Sequence, residues 1–224
     1  MITCDDFLAQ GCSQLGLELT PTQLAHLCRY YEELDKWSKK MNLVARADQE
    51  EILTSHFLDS LTLLPHLPPN DCRLLDIGSG AGFPGLVLKA VSPQLQVTLA
   101  EPRGKRVAFL RHIIRTLALT GVTVVGERLE ADAAMVARLG PFDLVTSRAF
   151  ADMTVFLTLA APYCRPGGLL ICMKGRKAEE ELAAWQQDPL SAHLTLVDRK
   201  NVTLPGKPQH RSLVIFQKND LQIP

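Results

Sequence analysis

The first 70 residues carry their apolar positions at helical spacing. Thr20-Pro21-Thr22-Gln23 sets an N-cap hydroxyl, a proline at the first helical position and a glutamine three residues after the cap, which predicts a helix opened by a capping box. Leu24, Leu27, Cys28, Tyr31 and Leu34 then recur every three or four residues as one apolar stripe, with Glu32, Glu33, Lys36 and Lys39 mainly on other faces. A second capping box, Asp48-Gln49-Glu50-Glu51, opens a helix whose buried side is Ile52, Phe57, Leu61 and Leu64. Pro65 and Pro68-Pro69 end it and mark a boundary between a helical extension over residues 1–70 and a second region over 71–224.

Beyond the prolines the period changes. Strand-length apolar runs at Arg73–Ile77, Leu95–Ala100, Val122–Val125, Phe142–Val145 and Leu169–Met173 alternate with helix-compatible stretches. This pattern predicts a doubly wound α/β domain, a mostly parallel sheet covered on both faces. After a helix over Glu179–Gln187, Leu194–Val197 and Ser212–Phe216 are joined without a long helix, which suits an antiparallel pair at the sheet edge. These make seven strands.

The chain has 224 residues, 46% hydrophobic and 21% charged, enough for a substantial core and too ordinary in charge for disorder. Its N-terminus is acidic where a secretory signal is basic, and no apolar window is long enough for a membrane span, so a soluble, cytoplasmic protein is expected. Six cysteines, Cys4, Cys12, Cys28, Cys72, Cys164 and Cys172, lie scattered without a C-x-x-C pair, which suggests reduced, buried thiols and no metal site. The zero net charge conceals an asymmetry: residues 1–70 carry five basic and ten acidic side chains, leaving 19 basic and 14 acidic after them. From Arg103 to Val125 there is no acid, and Arg103, Lys105, Arg106, Arg111 and Arg115 make either a polyanion-facing stripe or a solvated helix face.

The sharpest chemical signal is Asp76-Ile-Gly78-Ser-Gly80-Ala-Gly82-Phe-Pro-Gly85, directly after the first strand and before a helix. Glycines admit a ligand close to the main chain, and the following helix N-terminus offers unpaired N–H groups. Glu101 ends the second strand, where a carboxylate can accept both hydroxyls of a ribose. The loop satisfies the dinucleotide G-x-G-x-x-G as well as the acidic glycine loop of S-adenosylmethionine (SAM) enzymes. Asp76 favours SAM, since a carboxylate is badly placed beside a pyrophosphate and well placed near an ammonium group. It would serve equally as a brace for loop N–H donors. Asp76, Gly78, Gly80, Gly82 and Glu101 are therefore candidate cofactor residues.

The glycine loop with its Phe-Pro-Gly ending, followed by Gly104-Lys-Arg-Val107 with Phe109-Leu-Arg111 and by Ser147-Arg-Ala-Phe-Ala151, resembles the RsmG (GidB) family of ribosomal RNA methyltransferases. Lys36-Trp37, Asn42-Leu43, His56 with Leu58-Asp-Ser60, Lys174-Gly175 and Arg211 extend the likeness from about Trp37 to Lys218. The resemblance implies a class I, Rossmann-like SAM-dependent methyltransferase that modifies N7 of one guanine in the 530 loop of 16S rRNA, a site of the guanine-527 type. It implies a partner that is either naked 16S rRNA or the 30S subunit; separately, a monomer without a metal is expected. By position it puts Gly78 and Phe83 against SAM, Leu129 and Glu130 near the adenine, and Arg148 at the cofactor and reaction centre. Glu101 stands where some relatives have Asp, and the stretches before Trp37 and after Lys177 depart from the family and carry no assigned role.

Guanine N7 attacks through a lone pair and loses no proton, so transfer needs alignment and charge rather than a general base. Ser147-Arg148-Ala149-Phe150 stands where amine methyltransferases carry Asn/Asp-Pro-Pro-aromatic, which argues against adenine N6. Arg148 is expected to orient guanine or phosphate, and Lys105, Arg106, Lys174 and Arg211 to meet RNA phosphates. His56 and Asp59, three apart, are candidates for a pair that braces the helices against the site, as against a simple packing histidine. Trp37 and Tyr31 read as core rather than base-stacking rings. A nucleotide-binding oxidoreductase and a SAM-sensing module without chemistry are the alternative functions.

Overall fold

The computed structural model describes residues 2–45, 47–69, 71–148, 150, 152–207 and 210–220; Ala149 and Ala151 of the Ser147–Ala151 run lie outside them. Helices α1 (Cys4–Gln14) and α2 (Pro21–Met41) come first. A helical stretch follows, built from α3 (Gln49–Ile52), a π-helical segment over Leu53–Leu58 and α4 (Asp59–Leu61). Strands β1 (Arg73–Ile77), β2 (Gln96–Ala100), β3 (Val122–Val125), β4 (Phe142–Arg148) and β5 (Cys164–Lys174) then alternate with α5 (Gly85–Val91), α6 (Gly104–Thr116), α7 (Ala133–Leu139) and α8 (Met153–Ala160). The chain finishes with α9 (Ala178–Trp185), β6 (Leu194–Thr203) and β7 (His210–Lys218).

The sheet order is β3-β2-β1-β4-β5-β7-β6, parallel except for β7, which pairs antiparallel with both β5 and β6. Strand order reverses between β1 and β4, so their carboxyl ends open a crevice, the place where doubly wound sheets bind ligands. One apolar cluster runs from Leu8 on α1 through Leu34 and Phe57 to Leu74 on β1 and Ile215 on β7, continuous across the prolines.

The capping box of α2 forms as its sequence requires: the Thr20 hydroxyl accepts from Gln23 N–H and the Gln23 side chain from Thr20 N–H. The Asp48 box is one-sided. Asp48 accepts from Glu51 N–H, but the Glu51 carboxylate goes instead to Ser55 and to Lys207. Two other expectations for this region need correction. Glu33 is buried rather than on the polar face, because it crosses the helix seam to His112 Nε2 of α6 at 2.7 Å. That bond, with Lys36 adding to it, holds the Glu33 carboxyl below the usual range. Cys4 and Cys28 are joined in a disulfide between α1 and α2, with Cα atoms 5.8 Å apart. The packing of α1 on α2 brings them together, which a separation of 24 residues along the chain does not reveal. Cys12, Cys72, Cys164 and Cys172 are free, buried thiols, as read; burial pushes the Cys164 thiol up to about 12.

Candidate functional site

The β1–α5 turn folds around its glycines. Gly78, Gly80 and Gly82 have φ of +73°, +60° and +98°, a region side chains with a Cβ avoid. A Cβ built on Gly78 would meet nothing within 4 Å, so the backbone here is bare toward open space. Asp76 at the end of β1 braces the turn from below: Gly85 N–H donates to its Oδ2 at 2.9 Å, and its Oδ1 has no partner. Complete burial pushes this carboxyl up to about 7, against the opposing pull of Gly85 N–H and Arg148.

Two cavities flank the turn. The first, about 580 Å³ and lined by several charged side chains, lies between the N-terminal helices and β4, β5 and β7; Gly78, Gly80, Phe83, His56, Asp59 and Arg148 are among the residues that bound it. The second, about 600 Å³, lies on the other side, against Ile77, Ala100, Leu129 and the α8 residues Thr154 and Thr158. Gly78 and Phe150 belong to both, so the two spaces meet across the turn.

Arg148 is the centre of the first cavity. Its Nη1 donates to the Ser55 carbonyl at 2.7 Å and lies 3.4 Å from Asp59 Oδ2, while its guanidinium carbon sits 4.8 Å from the centroid of the Phe83 ring. Arg211 Nε approaches the other oxygen, Asp59 Oδ1, at 3.3 Å. Burial pushes the Asp59 carboxyl up, and the two guanidiniums pull it back. His56 and Asp59 do not pair. His56 lies against Phe83 with ring centroids 5.0 Å apart, and burial together with Arg148 drives its pKa down to about 3, so it is neutral at physiological pH.

The remaining expected site residues divide sharply. Phe83, Gly80, Arg106, Lys174 and Arg211 line the first cavity and Leu129 the second. Asp76, Gly82, Glu101 and Glu130 line neither. Glu101 is buried and already holds Gly80 N–H at 3.0 Å, Arg103 N–H at 2.9 Å and Arg106 at 3.4 Å, so in this state it organises the loop rather than facing the crevice. Glu130 is exposed, and its carbonyl rather than its carboxylate is engaged, by the Tyr163 hydroxyl. Lys105 is exposed on the first turn of α6. Lys174 is buried in an ion pair with Glu181 at 2.6 Å and donates to the Phe150 carbonyl, so it anchors the β4–α8 loop and is not a free phosphate ligand. Sequence reasoning missed Tyr30, which is fully buried and donates to Ala81 O. Its spacing from Leu27 and Leu34 was the available signal. It also missed Arg176 and Lys177, which continue the basic run from Lys174 along the cavity wall.

Bare glycine backbone between two connected cavities, a buried acid at the end of β1 and another at the end of β2 fit an adenosine-linked amino acid. With this sheet order they define the fold of a class I SAM-dependent methyltransferase. Solved structures agree at the level of fold: a class I SAM-dependent methyltransferase of Listeria monocytogenes superposes with TM-score 0.61 at 13% identity, covering 89% of this chain and 70% of that one. A methyltransferase of Pyrococcus furiosus gives 0.57 at 18% identity, covering 86% and 98%. The family described as rRNA small subunit methyltransferase G (GidB) matches residues 23–210, and the chain belongs to it. Ribosomal RNA small subunit methyltransferase G of Desulfotalea psychrophila is 46% identical over 211 residues, 94% of this chain and 96% of the relative. That of Geotalea uraniireducens is 41% identical over 221 residues, covering 96% and 97%.

The cofactor is SAM, whose sulfonium supplies an electrophilic methyl group, and the substrate class is small-subunit rRNA. Among the described residues no helix is long and apolar enough to cross a membrane, and no three His, Cys, Asp or Glu cluster as metal ligands.

Proposed function

We propose that this enzyme methylates N7 of a guanine in the 530 loop of 16S rRNA, with the target base entering the cavity above Phe83 and Arg148 orienting it. The observation that carries this reading is the state of the carboxylates in that cavity. Asp59 lies in ion-pair range of two arginines and Glu181 is paired with Lys174, while burial drives the His56 pKa down to about 3, so the two carboxylates are paired and the histidine is a weak base. Methylation of an amine or an amide nitrogen releases a proton that must be taken up; N7 attack releases none. A guanidinium in this position can donate to guanine O6, the acceptor beside N7, and hold the base while the N7 lone pair stays free to attack the methyl carbon.

Charge supports an RNA substrate. Arg106, Arg148, Lys174, Arg176, Lys177 and Arg211 outnumber Asp59 and Glu181 on the cavity lining, and Lys105, Arg111 and Arg115 are exposed along α6 nearby. The crevice takes SAM with its amino acid end by Gly78, Gly80 and Phe83 and its adenine by Leu129.

The deciding experiment is mass spectrometry of 16S rRNA from cells lacking the protein. One N7-methylguanosine should be missing from the 530 loop and should return when purified enzyme and SAM are added to the 30S particles or the naked RNA. A full complement of methylguanosine in the deleted strain would overturn the reading.

A further inference from the structure

We propose that Asp59 is a positioning residue for methyl transfer, holding Arg148 and Arg211 as a matched pair of guanidiniums aimed into the reaction cavity. The inference rests on the RNA-methylation reading of that cavity and adds a residue from the N-terminal helices to its machinery.

Asp59 is 2% exposed and opens α4, directly after the π-helical segment. Its two oxygens face partners from the two strands that flank β5, Oδ2 toward Arg148 at the end of β4 and Oδ1 toward Arg211 Nε at the start of β7, the latter an ion pair at 3.3 Å without a hydrogen bond. The backbone of the same segment supplies the third fixed point, the Ser55 carbonyl that accepts from Arg148 Nη1 at 2.7 Å. Wide π turns are a recurrent feature of functional sites, and here the segment presents the Ser55 carbonyl, and the residue directly after it the Asp59 carboxylate, to one guanidinium. Arg148 and Arg211 repel one another. A single buried carboxylate between them offsets that repulsion and fixes the separation of the forks while leaving one net positive charge for an anionic or acceptor-rich ligand. Phe83 closes the arrangement by supporting the Arg148 guanidinium from the cofactor loop, so the arginine bridges the helices and the glycine turn.

The test is a double-mutant cycle of Asp59→Asn and Arg148→Lys on the full-length enzyme, with active sites counted by SAM titration and turnover measured on 30S particles and on 16S rRNA. Asparagine keeps the volume of Asp59 but removes the charge that opposes the two arginines. We expect Asp59→Asn to lower kcat by about 100-fold, the scale on which a small misplacement acts. SAM affinity should stay within about threefold, and the double variant should lose little more than Arg148→Lys alone. A residue that merely supports the fold would lower the melting temperature and the number of active sites while leaving kcat per titrated site unchanged, and its effect would add to that of Arg148→Lys. Either result overturns the proposal. A crystal structure of Asp59→Asn separates it from the reading on which it rests: unmoved Arg148 and Arg211 side chains would refute positioning whatever the substrate. Displaced side chains with no methylation of rRNA by the wild type would instead overturn the RNA reading.

Discussion

The hydroxyl of Tyr30 donates to the carbonyl oxygen of Ala81 at 2.5 Å, so a fully buried side chain of α2 fixes the backbone of the glycine turn 51 residues later. The same ring stacks parallel on Phe83 with centroids 5.8 Å apart and meets Phe57 edge-on at 5.3 Å. Tyr30→Phe preserves both ring contacts and deletes only the donor, leaving a buried carbonyl without that partner at a cost of about 1–3 kcal/mol. The urea midpoint should fall accordingly. Because Ala81 lies between Gly80 and Gly82, SAM affinity measured by calorimetry should fall with it. An unchanged midpoint and an unchanged Kd together would show that the glycine turn holds its shape unaided.

Arg148 is tied to the protein as well as aimed at the cavity, and its removal should reveal both roles. Arg148→Ala leaves Asp59 buried with Arg211 alone, and breaking a buried pair in this way costs about 3–5 kcal/mol. Methyl transfer to 30S particles should fall by about 100-fold or more, as expected on losing an oriented donor at a reaction centre. Thermal unfolding should move down as well, so turnover must be read well below the new midpoint. Near-normal turnover per folded molecule would exclude Arg148 from the reaction centre.

Lys105 and Lys174 carry the same charge but occupy different environments, and salt separates them. Lys105 is exposed on α6, so Lys105→Ala should weaken RNA binding and reduce the slope of log affinity against log salt by about 0.7–0.9, as for one phosphate contact. Lys174 is buried against Glu181 and the Phe150 carbonyl. Lys174→Met should therefore lower stability and displace the β4–α8 loop while leaving the salt slope near the wild-type value. Filter binding at several salt concentrations distinguishes the two, and equal slopes for both variants would remove this assignment.

Much of this architecture was legible in the chain because the elements obey short-range rules. The Thr20–Gln23 box, the apolar strand cores and the glycines after β1 each act over fewer than ten residues, and the structure forms each of them there, though β5 and β6 run longer than their apolar cores show. Long-range partners were not legible. Glu33 reads as surface because nothing local announces His112, which lies 79 residues away. Cys4 and Cys28 read as separate thiols because their pairing depends on how α1 packs on α2. Lys174 looks like a free cation until Glu181 is found against it. Asp59 and Arg148 were each noticed, but only the folded chain brings together positions 89 residues apart.

Asp76 gives the fold a pH dependence of a definite sign. Its folded-state pKa of about 7 lies above its ordinary value of 3.8, because burial penalises the charged form more than Gly85 N–H and Arg148 favour it. Between those values the folded chain keeps a proton that the unfolded chain has released. This contribution to stability is complete below about pH 4 and is lost as pH rises to about 7, at up to about 1.4 kcal/mol per pH unit. Asp76→Asn, which stays neutral throughout, should flatten that slope when urea unfolding is compared from about pH 5 to about pH 8. SAM adds positive charge near the loop and favours the ionised carboxylate, so binding near pH 6 should release a proton. Calorimetry in buffers of different ionisation enthalpy reads that release directly. Parallel stability curves for wild type and Asp76→Asn, with no proton released on SAM binding, would mean that Asp76 is already ionised in the folded chain despite its burial.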